Sequence, residues 1–161
     1  EDSQAFFNSS KKILSLVERL DEAQLSQKVL VPPQRGLEDS SRYWSAAMVL
    51  EHLMIVGMGM RDIIIRLSQN KVPPGTADTA RVKPLGKTPP DTVLASYKNF
   101  VETLLDQIDT AVENRDSKAV YTHPWFGKFT AHQWHWLLAA HNQIHLSQLH
   151  GILAGLGQKA A

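Results

Sequence analysis

A segment near the end of the chain, residues 131–157, contains no Asp, Glu, Lys or Arg, and this feature most constrains the fold. Glutamines, an asparagine and five histidines interrupt the segment, so it is too polar for a membrane span. As a helix it needs cover on most sides, either from a helical bundle or from a second subunit. Thr130 and Gln133 have the spacing of a capping box, which predicts a helix from there to about Leu156.

Three further helices are predicted from apolar residues at three- and four-residue steps, over about 3–27, 44–69 and 90–114, with Ser45 as the N-cap of the second. No segment shows the alternating pattern of a strand. Residues 70–89 hold four prolines and are long for a connection inside a domain. They predict a crossover that runs along the bundle and lets its flanking helices lie parallel. The predicted fold class is therefore all-α, a four-helix bundle with a long crossover between helices 2 and 3.

The composition limits the function of the chain, residues 1–161, which is expected to form one soluble domain. Lys plus Arg number 17 and Asp plus Glu 16, so the net charge of +1 argues against binding to nucleic-acid phosphates. The chain has no cysteine, which leaves His, Asp and Glu as strong metal ligands, and no apolar run reaches the roughly 18 to 20 residues of a membrane span. The first residue is Glu1, which fits a trimmed cytoplasmic protein or a periplasmic or exported one whose signal peptide was removed.

Histidines are concentrated in the uncharged segment. His141 and His145 are four residues apart and lie on the face predicted to point into the bundle. His52 lies in the middle of the apolar second helix, where a histidine is either a core residue with a hydrogen-bond partner or a ligand. Buried imidazoles need such partners or a metal, and three of them would favour a transition metal over magnesium or calcium. The remaining histidines of the segment, His132, His135 and His150, are poor partners for this pair. His132 and His150 are expected at the surface or an interface.

Three motifs carry a resemblance to a known family. They are Leu50-Glu51-His52-Leu53 after Trp44-Ser45, then His141-x-x-x-His145-x-x-Gln148, and His123-Pro124-Trp125-Phe126-Gly127-Lys128-Phe129-Thr130 before Gln133-Trp134. Together they resemble the DinB-like superfamily of small bacterial four-helix proteins. The third motif is similar to a branch of that superfamily described only as of unknown function. The match runs from the second helix to the end of the chain and is most specific across 121–149.

The resemblance implies an up-down-down-up bundle that is often a homodimer. It also implies that His52, His141 and His145 bind one divalent metal, with zinc, nickel or iron as precedents. Some members of the superfamily are thiol-dependent transferases or isomerases, others are proposed metal-dependent hydrolases, and many have no assigned reaction. Gln148 and Glu51 are candidates for the acceptors that usually hold the second nitrogen of a ligating histidine.

Two functions follow as hypotheses. The first is a metal-dependent enzyme, a hydrolase or a thiol S-transferase, that acts on an unknown small molecule through three histidines and open coordination positions. The alternative is a non-catalytic bundle whose histidines are structural, or serve only metal binding or partner interaction. No nucleophile elbow, phosphate-binding loop or dinucleotide fingerprint suggests another chemistry. His123 either shapes the turn before the last helix or lies at the mouth of the site.

Overall fold

A computed structural model describes residues 1–158; the predicted domain also includes residues 159–161, which lie outside the described range. Four long helices form a bundle, as predicted, and short elements connect them. The helices are α1 (Asp2–Val17), α2 (Glu22–Ser26), α3 (Ala46–Ser68), α4 (Pro90–Ala111) and α5 (Ala131–Gly155), and the strands are β1 (Val29–Leu30), β2 (Tyr43–Trp44), β3 (Val120–His123) and β4 (Gly127–Thr130). Within residues 1–158, none of the helices combines the length and the hydropathy required to span a membrane.

Contacts between α3 and α4 show that these two helices run in the same direction. Arg61 donates a hydrogen bond to Gln107, and about two turns further along α3 Ser68 accepts a hydrogen bond from the backbone N–H of Glu113, just after α4. The numbers of the contacting residues therefore increase in the same direction along α3 and α4. The crossover thus joins parallel helices, as its length predicts.

Contacts with α5 settle the remaining directions. Ser3 contacts His135 and Ser10 contacts Asn142, so α1 and α5 are parallel. The ring of Trp44, just before α3, instead stacks on His145. His52, further along α3, contacts His141, which comes earlier on α5, so α3 and α5 are antiparallel. The bundle is up-down-down-up, as expected.

Local sequence signals explain where the helices start and how closely they pack. The Ser45 side chain accepts a hydrogen bond from the backbone N–H of Met48, and Thr130 and Gln133 form the predicted capping box. Gly57 brings α3 against α4, because a Cβ atom at this position would lie 2.4 Å from Cζ of Phe100. The axes can approach this closely only where the side chain is a hydrogen atom.

The predicted first helix over 3–27 is wrong, because it is two helices. The chain leaves α1 after Val17, and Asp21 starts α2 with its own capping box, in which Gln24 is the partner. The apolar residues keep a helical spacing across this break and therefore predict one continuous helix. The capping box of Asp21 instead starts a second helix.

The prediction that the chain has no strands is also wrong. β1 pairs with β2 and β3 pairs with β4, both antiparallel, and Trp44 belongs to β2 rather than to the second helix. His123 faces Gly127 across the β3–β4 turn, and Gly127 has a φ of 80°, which suits glycine. Strands of two to four residues are too short for a visible alternating pattern.

Candidate metal centre

Three imidazoles from two helices meet at one point inside the bundle. His52 projects from α3, and His141 and His145 project from successive turns of α5. The Nε2 atom of His141 lies 3.1 Å from Nε2 of His52 and 3.1 Å from Nε2 of His145. In the described residues 1–158, these three histidines form the one group of three His, Asp or Glu side chains whose potential ligand atoms all lie within 4.8 Å of one another.

The orientation of His145 is fixed by Gln148, one turn further along α5. Nε2 of Gln148 donates to the backbone carbonyl of Ser41 at 2.7 Å, which orients the amide. Its Oε1 therefore faces Nδ1 of His145, 2.8 Å away, and accepts the proton on that nitrogen. Gln148 itself has no exposed surface. As a result Nε2 of His145 carries the lone pair.

The crossover fixes His52 in the same way. Nδ1 of His52 donates to the backbone carbonyl of Val82 at 2.7 Å. Val82 ends a short 3₁₀ turn, Thr79–Val82, that lays the crossover over this end of α3. Nε2 of His52 therefore also carries a lone pair, which points at His141.

These tautomers leave the cluster short of protons. His141 can donate at most one proton from Nε2, yet it faces two acceptors, His52 and His145. At least one contact of 3.1 Å thus has no proton between its two nitrogens, which is unfavourable for buried polar atoms unless they share a cation. With metal–nitrogen bonds of about 2.0–2.1 Å, nitrogens at this separation subtend about 95–100° at a common ion, between the octahedral and tetrahedral angles. The three residues fit a divalent transition metal.

The electrostatics of the cluster keep the imidazoles neutral. Burial lowers the pKa of His145 to about 3 and also lowers that of His52, although Glu38 opposes the shift of His52. Burial lowers the pKa of His141 well below its usual value, and the two neighbouring histidines lower it further. Neutral imidazole is the form that binds metals, so the protonation state of the three histidines fits a metal site.

The cluster lies in the wall of a cavity of about 330 Å³. His141 is half-buried and lines this space, as do His52 and His145. The lining is mainly apolar and comes from α3, α5, the crossover, the β3–β4 hairpin and the loop between β1 and β2. Charged residues also line the cavity: Glu38, Asp78, Arg81 and Lys83. The cavity volume is within the usual range for small-molecule sites.

The two outer-shell candidates have different outcomes. Gln148 hydrogen-bonds His145, as described above. Glu51 makes no hydrogen bond with the three histidines, and its enclosed Oε1 atom has no partner among residues 1–158. Successive residues of a helix point about 100° apart, which explains why Glu51 does not accompany His52.

The other histidines lie away from the cluster. His132 and His150 are exposed on α5, in agreement with the sequence. His135 is buried and its Nε2 contacts Oγ of Ser3 at 2.9 Å. His123 lines the cavity from the hairpin.

Several residues of the site give no signal in the sequence. The carbonyls of Ser41 and Val82 belong to the backbone, so no side chain marks them. Trp44 stacks on His145 with 6.2 Å between ring centroids and 8° between planes; the sequence places Trp44 in the motif before the second helix but does not indicate this contact. Glu38 lies in an irregular loop where no periodicity indicates its direction.

Fold and site together define a class: four-helix bundles with a three-histidine cluster that opens on a cavity. The family model of the DinB superfamily matches residues 8–149, and the chain belongs to this superfamily. A solved structure, "Crystal structure of TT2238, a four-helix bundle protein", is similar over 93% of this chain and 96% of that one, with a TM-score of 0.58. At 24% identity this similarity shows the shared fold. None of the curated proteins matches the chain.

Proposed function

We propose that this protein binds one divalent transition metal, zinc, nickel or iron, through Nε2 of His52, His141 and His145, and that it is a metal-dependent enzyme acting on a small molecule. The observation that carries the proposal is the convergence of three Nε2 atoms, 3.1 Å apart in two pairs, at the wall of a cavity. The reaction is hydrolysis or the transfer of a thiol.

Residues around the cluster orient the three histidines as ligands. A divalent ion held by three imidazoles supplies a Lewis acid that lowers the pKa of a bound water or thiol. Val82 and Gln148 hold the rings of His52 and His145 with their lone pairs inward. Such outer hydrogen bonds also make the imidazoles more basic and therefore better ligands.

The cavity supplies the binding site. Its apolar walls displace water from a substrate, which strengthens the electrostatic interactions inside it. Glu38 is one of two carboxylates on the lining, with Asp78, and is close enough to His52 to influence its pKa. We assign Glu38 the role of proton acceptor for the attacking water or thiol.

The cavity also favours an enzyme over the alternative of a non-catalytic bundle. A purely structural cluster gains nothing from a ligand that is open to a space of about 330 Å³, as His141 is. Structural sites are instead closed by a complete set of protein ligands.

We further propose a homodimer formed around the exposed part of α5. Trp136 is 49% exposed on this uncharged helix, whereas Trp134 is covered by the hairpin and buried. A large aromatic side chain on an uncharged helix face is typical of an interface.

The experiment uses the protein loaded with cobalt(II), whose visible spectrum reports changes in its ligands. We expect 2-mercaptoethanol or acetohydroxamate to change the spectrum, because the ion has open coordination positions. His145→Ala should lose the cobalt spectrum, while His150→Ala, an exposed histidine of the same helix, should retain it. A cobalt spectrum that neither ligand changes would indicate a closed site and favour the non-catalytic alternative.

A further inference from the structure

His123 is the last residue of β3, and its ring is fixed by the hairpin that it begins. Nδ1 of His123 accepts hydrogen bonds from the backbone N–H groups of Trp125 at 3.1 Å and Phe126 at 3.3 Å. Both donors are amides that cannot reverse their role, so Nδ1 must carry a lone pair. Burial lowers the pKa of His123, which keeps the ring neutral and retains both bonds.

The neutral tautomer therefore places the remaining proton on Nε2. This atom has no hydrogen-bond partner among residues 1–158. It is also not among the fully enclosed polar atoms, so it is accessible to a ligand or to solvent. His123 lines the same cavity as the three-histidine cluster. The Nε2–H group is thus an oriented donor with no partner among residues 1–158, on a side chain that belongs to the cavity wall.

Aromatic side chains surround this donor. The ring centroid of His123 lies 4.7 Å from that of Phe126 and 5.3 Å from that of Trp134. Trp125 and Phe126 also line the cavity, and they are 53% and 54% exposed. Exposed aromatic side chains beside a cavity provide flat apolar surfaces on which a planar ligand can stack.

We propose that His123 is a substrate-binding residue and that the cavity takes a small planar, mainly apolar molecule with two polar groups: a metal-binding group that reaches the three histidines, and a neutral acceptor such as a carbonyl oxygen that receives the Nε2–H of His123. This inference rests on the proposed metal site and adds the substrate class. It also gives the β3–β4 hairpin a role beyond connecting α4 to α5.

The test requires a variant that keeps the hairpin and removes the donor. In His123→Asn, the side-chain oxygen can accept from the backbone N–H two residues on, as asparagine does in many turns. The Nε2–H is lost, and the amide nitrogen of asparagine, bonded to Cγ, does not reach the position of Nε2. The matched control is His150→Asn, which makes the same change at an exposed position. Both variants should bind zinc as the wild type does.

The probes are benzohydroxamate, whose head group binds zinc, and its ortho-, meta- and para-acetyl derivatives, which add a carbonyl acceptor. We measure their Kd by calorimetry on the zinc-loaded proteins. For at least one isomer, the acetyl group should lower Kd about two- to tenfold in the wild type and His150→Asn, the size expected of a neutral hydrogen bond. His123→Asn should lose this preference for the acetyl derivative. Any electronic effect of the acetyl group on zinc binding is the same in all three proteins, so the difference between them reports the hydrogen bond alone.

The other outcomes separate the two proposals. If benzohydroxamate binds the zinc protein but no isomer gains affinity, or if His123→Asn retains the gain, the role of His123 is wrong and the metal site stands. If the wild type binds no zinc, or the zinc protein binds no hydroxamate, the proposed function and this inference both fail.

Discussion

Gln148 connects the stability of the bundle to the geometry of the proposed ligands, so its replacement should affect both. Gln148→Leu keeps a similar size but removes the acceptor for His145 and the donor to Ser41. Each buried polar group left without a partner costs about 1–3 kcal/mol. We therefore expect the free energy of unfolding of the metal-free protein to fall by about 2–6 kcal/mol.

The same replacement releases the ring of His145 from its orientation. Loss of an outer-shell hydrogen bond typically lowers metal affinity about 10- to 100-fold, or roughly 1.4–2.7 kcal/mol. Gln148→Glu separates the two bonds, because a carboxylate still accepts from Nδ1 of His145 but cannot donate to Ser41. This variant should lose stability while it retains more zinc affinity than Gln148→Leu.

Two assays measure these effects: urea unfolding of the metal-free proteins, and zinc Kd by competition with a chromophoric chelator. The control is Gln143→Leu, at an exposed position of the same helix, which should change neither quantity appreciably. If Gln148→Leu is destabilised but binds zinc within threefold of the wild type, Gln148 is a structural residue and the argument from the orientation of His145 is refuted.

Three further predictions concern pH, packing and assembly. Burial holds the pKa of His145 at about 3 in the folded protein against about 6.5 when unfolded, so the unfolded state binds more protons between these values and stability falls as pH falls through this window. Urea unfolding of the metal-free protein at pH 7 and pH 5 should show this loss of stability. In His145→Gln the loss should be smaller by up to about 1.4 kcal/mol per pH unit. An equal loss in both proteins would contradict the lowered pKa of His145. Gly57→Ala should lower the free energy of unfolding by about 1–3 kcal/mol, because the new Cβ overlaps the ring of Phe100. The control Gly59→Ala, with no atom within 4 Å of its new Cβ, should raise the free energy of unfolding by up to about 1 kcal/mol. Equal effects of the two substitutions would show that the close approach of the helices is not required. Light scattering should give twice the 18.0 kDa chain mass for the wild type and a lower mass for Trp136→Glu, and a monomeric wild type would exclude the homodimer.

Helical periodicity and caps were sufficient to predict the bundle. Ser45 and Thr130 mark the starts of α3 and α5 correctly because capping acts over three residues and needs no tertiary information. The break before Asp21 was missed because the apolar spacing continues across it. The β3–β4 hairpin was missed because four-residue strands carry too few positions for a pattern.

The candidate site could be predicted only in part. The resemblance pointed to His52, His141 and His145, and the structure brings their Nε2 atoms together, while metal binding itself stays a proposal. The sequence could not show that the carbonyls of Val82 and Ser41 would set the tautomers, since contacts from the crossover and from the loop before β2 depend on the folded path of the chain. Proline-rich connections have no periodicity from which that path could be read.

The central claim is that three histidines bind one transition metal, and metal stoichiometry tests it most directly. The protein is purified without a nickel column, metal content is measured by elemental analysis, and metal-depleted protein is then titrated with zinc and with nickel. We predict about one equivalent of metal in the wild type and in His150→Ala, and none in His52→Ala/His145→Ala, whose helical circular dichroism should be retained. A folded wild type that contains no metal and takes up neither zinc nor nickel would contradict the claim.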